Sequence, residues 1–291
     1  MRHSLIIGGT GTLGKALIKR IGEEFCTVLS RDEFKQKKLK EEFPNIETVL
    51  GDVRDKKTLV DPMRGVTKVY HLAALKHVDI LEKHPQEAFK TNYQGVVNSF
   101  EQAIESKVSD FYFTSTDKAV LPINSYGMSK SMAERYLINA SNNKIGPDIY
   151  IFRWGNILGS RGSVLSYFLK TLLEENIAFV TDHRMSRFWL KIEDVANFLV
   201  DKESLDHLVT KENIFIPNCK SSLVIDLVAA IAKCINLESY KIYDTGIRPG
   251  EKIDECLSQE YGSPFRSSKN KFMYSVSELV DFIQPLIKDM M

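Results

Sequence analysis

Three things are scarce in this chain of 291 residues. No apolar run is long enough to span a bilayer, and the start lacks the pattern of a secretory leader, so neither a membrane helix nor a signal peptide is expected. The four cysteines, Cys26, Cys219, Cys234 and Cys256, contain no C-x-x-C spacing. That argues against a zinc or disulfide framework, and for reduced thiols in a cytoplasmic protein that needs no metal. Net charge is also scarce, at +1, so there is no basic surplus with which to bind nucleic acid or an anionic membrane. Individual arginines must then do any phosphate binding. What is present is ordinary for a globular protein: 43% hydrophobic and 26% charged residues, with no internal repeat and no low-complexity linker. A chain of this size buries roughly three quarters of its extended surface and needs no staples.

Apolar strand patterns alternate with helical ones over the first half. Strands are expected at Leu5–Ile7, Cys26–Leu29, Glu47–Leu50, Lys68–His71, Asp110–Thr114 and Asp148–Arg153. Helices are expected at Leu13–Ile21, Glu33–Glu41, Pro85–Glu105, Tyr126–Asn142 and Val164–Glu174. Such alternation specifies an α/β fold, a Rossmann-like doubly wound parallel sheet covered on both faces. After Arg153 the spacing becomes irregular, with helical patterns at Ile192–Val200, Leu223–Cys234 and Val276–Ile287. The expected organisation is a dinucleotide-binding domain over residues 1–155 and a smaller substrate lobe over 156–291, partly interleaved with it.

Leu5-Ile6-Ile7 runs into Gly8-Gly9-Thr10-Gly11-Thr12-Leu13-Gly14 and then into a helix. Strand, glycine loop and helix in that order let backbone N–H groups approach a pyrophosphate at the helix N-terminus. The tip of the second strand reads Ser30-Arg31-Asp32. An arginine there suits the 2′-phosphate of NADP and an acid suits the ribose of NAD. Ser30 and Arg31 occupy the tip, so NADP is favoured and NAD is the minority reading. Asp52 and Val53 end the third strand, where Asp52 either meets the adenine or is a plain loop residue. Ala73 and Ala74 follow the fourth strand, with side chains small enough for close approach of the cofactor.

The stretch FTSTDKAVLPINSYGMSK carries the chemistry. Tyr126 and Lys130 lie four residues apart on one helix face. A cation beside a phenol stabilises the phenolate, so Tyr126 is positioned to take a hydroxyl proton near neutral pH. Pro122 and Gly127 read as loop punctuation ahead of the helix. Thr116-Asp117-Lys118 adds a second acid and a second base. An alcohol oxidation needs only one such set, so the second points to an elimination that follows oxidation.

On these residues the chain resembles the extended short-chain dehydrogenase/reductases. Within them it is similar to the soluble UDP-N-acetylglucosamine 4,6-dehydratases, including the 5-inverting type of the pseudaminic acid pathway. The resemblance runs through GGTGTLG, SRDEFKQ, GDVRD, HLAALKHV, TSTDKAVLPINSYGMSK, RWGNILGSRGSV, RMSRFWL and GIRPGEK. Ile7, Ser129 and Ser186 stand where threonine is usual, and the chain is shorter than family members generally are. The resemblance implies that Tyr126 and Lys130 act with a tightly bound, recycled NADP in oxidising C4 of a UDP-sugar, with Thr116 on the 4-oxygen. Lys118 would then take the C5 proton, its amine made neutral by burial and nearby cations, and Asp117 would protonate the departing 6-hydroxyl. It also implies pairing of the helices at Pro85–Glu105 and Tyr126–Asn142 across a two-fold axis, in a homodimer or a larger assembly of dimers.

The second half is then expected to hold the nucleotide-sugar. Asn156 follows a strand, and Arg161, Ser163 and Val164 open a helix from a glycine-rich loop. Arg187 and Arg248 are candidates to clamp the diphosphate with their guanidinium forks. Glu251 either binds a ribose hydroxyl or makes a surface ion pair. Lys76 either reaches the site or serves only the cofactor, His77 reads as a surface residue, and Asn92 as a buried hydrogen-bonder within a long helix. Two rivals remain: a nucleotide-sugar 4-epimerase, which the Asp117-Lys118 pair argues against, and a non-catalytic NADP(H)-sensing protein, which the retained Tyr126 and Lys130 argue against.

Overall fold

The computed structural model describes residues 3–160, 162–259, 265–270 and 272–291. The first half alternates as the apolar pattern requires. It begins β1 (His3–Ile7), α1 (Thr12–Ile21), β2 (Cys26–Ser30), α2 (Glu33–Glu42), β3 (Glu47–Leu50) and β4 (Val66–His71). It continues through α3 (Val78–Lys83), α4 (Pro85–Ala88), a π-helical segment at Phe89–Gln94 and α5 (Gly95–Glu105). Then come β5 (Asp110–Thr114), α6 (Ser125–Asn142) and β6 (Asp148–Phe152). The second half holds β7 (Asn156–Leu158), α7 (Val164–Glu175), β8 (Ile177–Val180), β9 (Ser186–Lys191) and α8 (Ile192–Val200). It ends with β10 (His207–Val209), β11 (Ile214–Pro217), β12 (Ser221–Leu223), α9 (Val224–Cys234), β13 (Lys241–Asp244) and α10 (Val276–Lys288).

The large sheet runs β10-β11-β6-β5-β4-β1-β2-β3 and is parallel except for the antiparallel β10–β11 pair. From β1 the chain builds outward through β2 and β3, then returns to place β4 on the other side. The reversal sets a crevice at the carboxyl ends of β1 and β4, the place where such sheets bind ligands. Leu5, Ile6, Ile7, Val69, Tyr70, Phe111 and Phe113 are buried there, because helices cover both faces. A second apolar cluster, around Leu165, Phe168, Leu172, Trp189, Leu227, Ile231, Leu279 and Ile283, forms the core of the other lobe. The chain crosses between the two. Strands β10 and β11 extend the large sheet, and Val195, Phe198 and Leu199 of α8 join the first core. Small sheets β12-β9-β7 and β13-β8 complete the second lobe.

Two expectations need correction. The helix expected over Pro85–Glu105 keeps those bounds but widens through the π segment between α4 and α5, and α3 precedes it unforeseen. The widened turn brings Asn92, fully buried, against the loop after β4. Its Oδ1 accepts from Leu75 N at 2.8 Å and its Nδ2 donates to Leu75 O at 2.9 Å and Ser129 Oγ at 3.1 Å. One amide thus satisfies both backbone groups of a loop residue, which sheet and helix leave unpaired. The other correction is Gly127. It lies inside the first turn of α6, and a Cβ there would sit 2.2 Å from Lys118 O. The glycine is needed for this close approach, which seats the Asp117–Ala119 turn on the helix that carries Tyr126.

Candidate active site

A single crevice of about 990 Å³ contains most of the residues singled out above. Its walls include Gly8, Thr10, Gly11, Thr12, Leu13, Gly14, Ser30, Arg31, Asp52, Val53, Ala73, Ala74 and Lys76. Thr116, Lys118, Tyr126, Asn156, Ser163 and Val164 line the same space.

The glycine end fits a dinucleotide. A Cβ on Gly8 would lie 2.7 Å from Ala73 N, and one on Gly14 would lie 2.2 Å from Gly9 O, so strand, loop and helix close up only as glycine. At Gly11 the nearest atom to a Cβ is Gly8 O, at 3.5 Å, which leaves its other side open. Gly11 caps α1 without a side-chain bond and the first turn carries no acid, so the positive helix end suits phosphate. At the tip of β2, Ser30 Oγ lies 3.1 Å from Thr10 Oγ1, and Arg31 Nη1 lies 3.7 Å from Asp52 Oδ2. Asp32 also lines the crevice, but its carboxylate is engaged by Lys35. It caps α2 by accepting from Lys35 N at 3.0 Å and pairs with Lys35 Nζ at 2.6 Å. The Lys35 contacts hold its carboxyl below the usual range.

The reactive end is a buried charge cluster. Asp117 is fully buried, and its Oδ1 receives the Thr116 hydroxyl at 3.0 Å and Lys118 Nζ at 3.0 Å. Its Oδ2 has no hydrogen-bond partner among the described residues. Burial, reinforced by Glu255, raises the Asp117 carboxyl against the pull of Lys118. Lys118 also donates to Asn156 Oδ1 at 3.2 Å and lies 3.4 Å from Glu255 Oε1. Burial pulls its ammonium down, but Asp117 and Glu255 outweigh burial and hold it above the ordinary lysine value. This runs against the expectation that burial and nearby cations lower the amine: Asp117 first, and then Glu255, which the motif does not reveal, favour its charged form.

Lys130 also departs from expectation. Its Nζ packs over the Phe113 ring, 3.9 Å from the centroid, within an almost fully buried side chain. Burial drags this amine down to about 7 against the opposing pull of Glu134. His71, buried between Phe111 and Phe113, is pushed down to about 3 by burial and by Lys130. For Tyr126, burial raises the phenol, while Lys118 and the Thr116 hydroxyl pull it down. On balance burial wins and the phenol stands above its ordinary value, against the expected phenolate near neutral pH, with Lys118 the cation drawing it down.

The substrate residues divide. Asn156, Ser163 and Val164 face the crevice. Arg161 lies outside the described residues. Arg187 does not line it: its guanidinium donates to the carbonyls of Ser186 at 2.7 Å, Ile253 at 3.0 Å and Lys252 at 2.9 Å. Arg248 and Glu251 also lie outside its walls, joined by a 3.4 Å bond from Arg248 N to Glu251 Oε2. His77, expected at the surface, is exposed at the N-terminal end of α3 and borders the crevice. Sequence reading missed Glu255 and Lys252, which lie in a charged stretch with no periodicity to mark either as buried.

A glycine loop at the switch point of a doubly wound sheet, with Tyr126 and Lys130 on the helix beside it, defines a short-chain dehydrogenase/reductase. The chain belongs to the polysaccharide biosynthesis protein family, whose model matches residues 4–276. It is 37% identical to a Campylobacter jejuni protein named UDP-N-acetylglucosamine 4,6-dehydratase (inverting), over 97% of this chain and 84% of that one. It is 34% identical to a Rickettsia bellii protein named UDP-glucose 4-epimerase, over 87% of this chain and 76% of that one. Among solved structures, Pen from Bacillus thuringiensis superposes with a TM-score of 0.88 at 31% identity, covering 98% of this chain and 97% of that one.

Proposed function

We propose that the protein is a UDP-N-acetylglucosamine 4,6-dehydratase. It oxidises C4, eliminates water across C5 and C6, and releases a UDP-4-keto-6-deoxy-N-acetylhexosamine, with inversion at C5 as the finer part of the reading. The observation that carries it is the second acid–base set: Lys118 lines the same crevice as Tyr126, and Asp117, buried just behind the wall, accepts from its Nζ at 3.0 Å. The Campylobacter jejuni relative supports the choice of sugar.

The cofactor in this reading is NADP, retained and recycled, with NAD the less favoured alternative. When bound, the dinucleotide supplies the oxidising equivalent at C4 and takes it back for C6. Gly11 and the first turn of α1 would hold its pyrophosphate, and Ser30 and Arg31 its 2′-phosphate. The engagement of Asp32 with Lys35 favours this over a ribose-binding acid.

Tyr126 takes the 4-hydroxyl proton, with the Thr116 hydroxyl beside it. Elimination then needs an amine and a protonated carboxyl together. One proton moved from Lys118 Nζ to Asp117 Oδ1, across 3.0 Å, creates both. The Lys118 amine then takes the C5 proton, and Asp117 gives its proton to the leaving 6-oxygen, which departs as water. A carboxyl raised by burial is suited to that donation.

The assembly in this reading is a homodimer or larger, in the cytoplasm. On one side of the protein, exposed Met128 and Met132 continue along α6 to Tyr136, which meets Tyr93 edge-on, and Tyr93 packs on exposed Phe89. The test of function is the product formed from UDP-N-acetylglucosamine. Loss of one water by mass, with NMR to read C5, supports the dehydratase. An isomer of unchanged mass would instead support the 4-epimerase reading that the Rickettsia relative favours.

A further inference from the structure

Glu255 reaches the cluster from the far end of the chain. It is 2% exposed, yet it is absent from the crevice walls. Its Oε1 lies 3.4 Å from Lys118 Nζ and its Oε2 lies 3.4 Å from Lys252 Nζ. Its backbone is pinned on both sides by Ser267, through Glu255 N to Ser267 Oγ and Ser267 N to Glu255 O, each 2.9 Å. The segment before it is stapled to the catalytic loop. Lys252 Nζ donates to Val120 O at 2.8 Å, Asn124 Nδ2 donates to Gly250 O at 2.7 Å, and Arg187 braces the carbonyls of Lys252 and Ile253.

Burying a second carboxylate costs several kcal/mol unless cations surround it. Here Lys118, Arg187 and Lys252 do so. Elimination as such needs one acid and one base, which Asp117 and Lys118 already supply. The groups facing Lys118 are Asp117, Glu255, Arg187 and Tyr126, and Lys252 faces it through Glu255. With every acid and lysine ionised, the three cations and two carboxylates leave one surplus positive charge. Without Glu255 the surplus is two, and Lys118 is the cation able to shed it by giving up a proton into the crevice.

We propose that Glu255 is a positioning residue for the elimination step: without touching the sugar, it fixes Lys118 between Asp117 and the crevice and sets the pH at which that amine takes the C5 proton. This rests on the dehydratase reading. It also assigns a task to the C-terminal lobe beyond holding substrate, namely completing the charge balance of the base.

The test uses Glu255→Gln, which keeps shape and loses charge, and Glu255→Asp, which keeps charge. The first readout is independent of turnover: the rate at which an amine-acylating reagent labels Lys118 in the full-length protein, followed by peptide mass spectrometry at several pH values. An opposite charge at this range shifts a titration by about one to three pH units, so Glu255→Gln should label about tenfold faster or more at fixed pH. Glu255→Asp should return toward the wild-type rate. The second readout is solvent deuterium incorporation at C5 of UDP-N-acetylglucosamine, whose acid limb should move to lower pH in Glu255→Gln by more than any change in the initial rise of reduced-nicotinamide absorbance, since Glu255 acts on Tyr126 less than Lys118 does. Equal labelling rates in wild type and Glu255→Gln overturn the proposal, as does an unshifted limb with both half-reactions slowed alike. A wild-type protein that removes no water from the sugar overturns the dehydratase reading itself, whatever the labelling shows.

Discussion

Lys118→Met separates the two acid–base sets and tests the charge cluster at the same time. Lys118 is the cation in contact with Asp117, at 3.0 Å, whereas Glu255 keeps Lys252 at 3.4 Å when Lys118 is gone. Asp117 is then left fully buried with the Thr116 hydroxyl as its donor and its Oδ2 as bare as before. Breaking a buried pair from one side costs about 3–5 kcal/mol, because the remaining charge is stranded. Asp117 can escape part of that by binding a proton, since burial already raises its carboxyl. A folded-state pKa above the unfolded one favours the fold in acid and loses that contribution as pH rises through the folded value. The destabilisation should therefore be small near pH 4 and reach its full size by pH 8, read as the urea midpoint at constant slope. In the reaction, Tyr126 remains but loses the cation that draws its phenol down, so nicotinamide should still be reduced on mixing with UDP-N-acetylglucosamine, more slowly than in the wild type. Loss of a positioned base lowers proton removal by about 10²–10⁴-fold, so deuterium should not enter C5 from heavy water and a 4-keto sugar should accumulate. Wild-type exchange at C5 in this variant would show that another group is the base. A urea midpoint unchanged at pH 8 would show that the Asp117 carboxylate does not depend on Lys118.

Gly127→Ala should destabilise the protein by about 1–3 kcal/mol, because the new methyl meets Lys118 O at 2.2 Å and this strain exceeds the ~1 kcal/mol of helix propensity gained; an unchanged or raised urea midpoint refutes it. Lys130 titrates at about 7 when folded against 10.5 when free, so the cost of burying its ammonium is full below pH 7 and fades toward pH 10.5. Stability of the wild type relative to Lys130→Met should thus rise over that window at up to ~1.4 kcal/mol per pH unit, and a flat difference refutes the burial argument. Arg31→Ala should weaken NADP⁺ more than NAD⁺ in calorimetric titration, and equal losses refute the 2′-phosphate assignment. Light scattering at micromolar concentration should give at least a dimer, reduced to monomer by Met128→Glu with Met132→Glu; a wild-type monomer refutes the interface.

What the sequence discloses, and what it hides, follows from the range over which each interaction acts. The first six strands of the large sheet and the glycine loop are legible because period and steric demand act within a few residues: Gly14 closes against Gly9 O, and any other residue would clash. Gly127 is misread for the opposite reason. A glycine at the start of a helix looks like a turn, and only the seating of the Asp117–Ala119 turn on α6 reveals that the carbonyl of Lys118 occupies the space of its Cβ. The widening at Phe89–Gln94 is invisible because the apolar spacing runs through it, and it goes with Asn92 meeting Leu75 across a loop. Arg187 is read as a phosphate ligand because a guanidinium suits phosphate and carbonyl oxygens alike; the fold commits it to the carbonyls of Lys252 and Ile253. The motif Thr116-Asp117-Lys118 marks the buried pair, but it does not show that a second carboxylate, Glu255, joins Asp117 in holding the proton on Lys118, because folding alone brings Glu255 to 3.4 Å. The reactive groups are therefore encoded locally in the first half, while folding sets how far each amine holds its proton: burial against Phe113 draws Lys130 down to about 7, and Asp117 with Glu255, from the second half, keeps Lys118 above the ordinary lysine value.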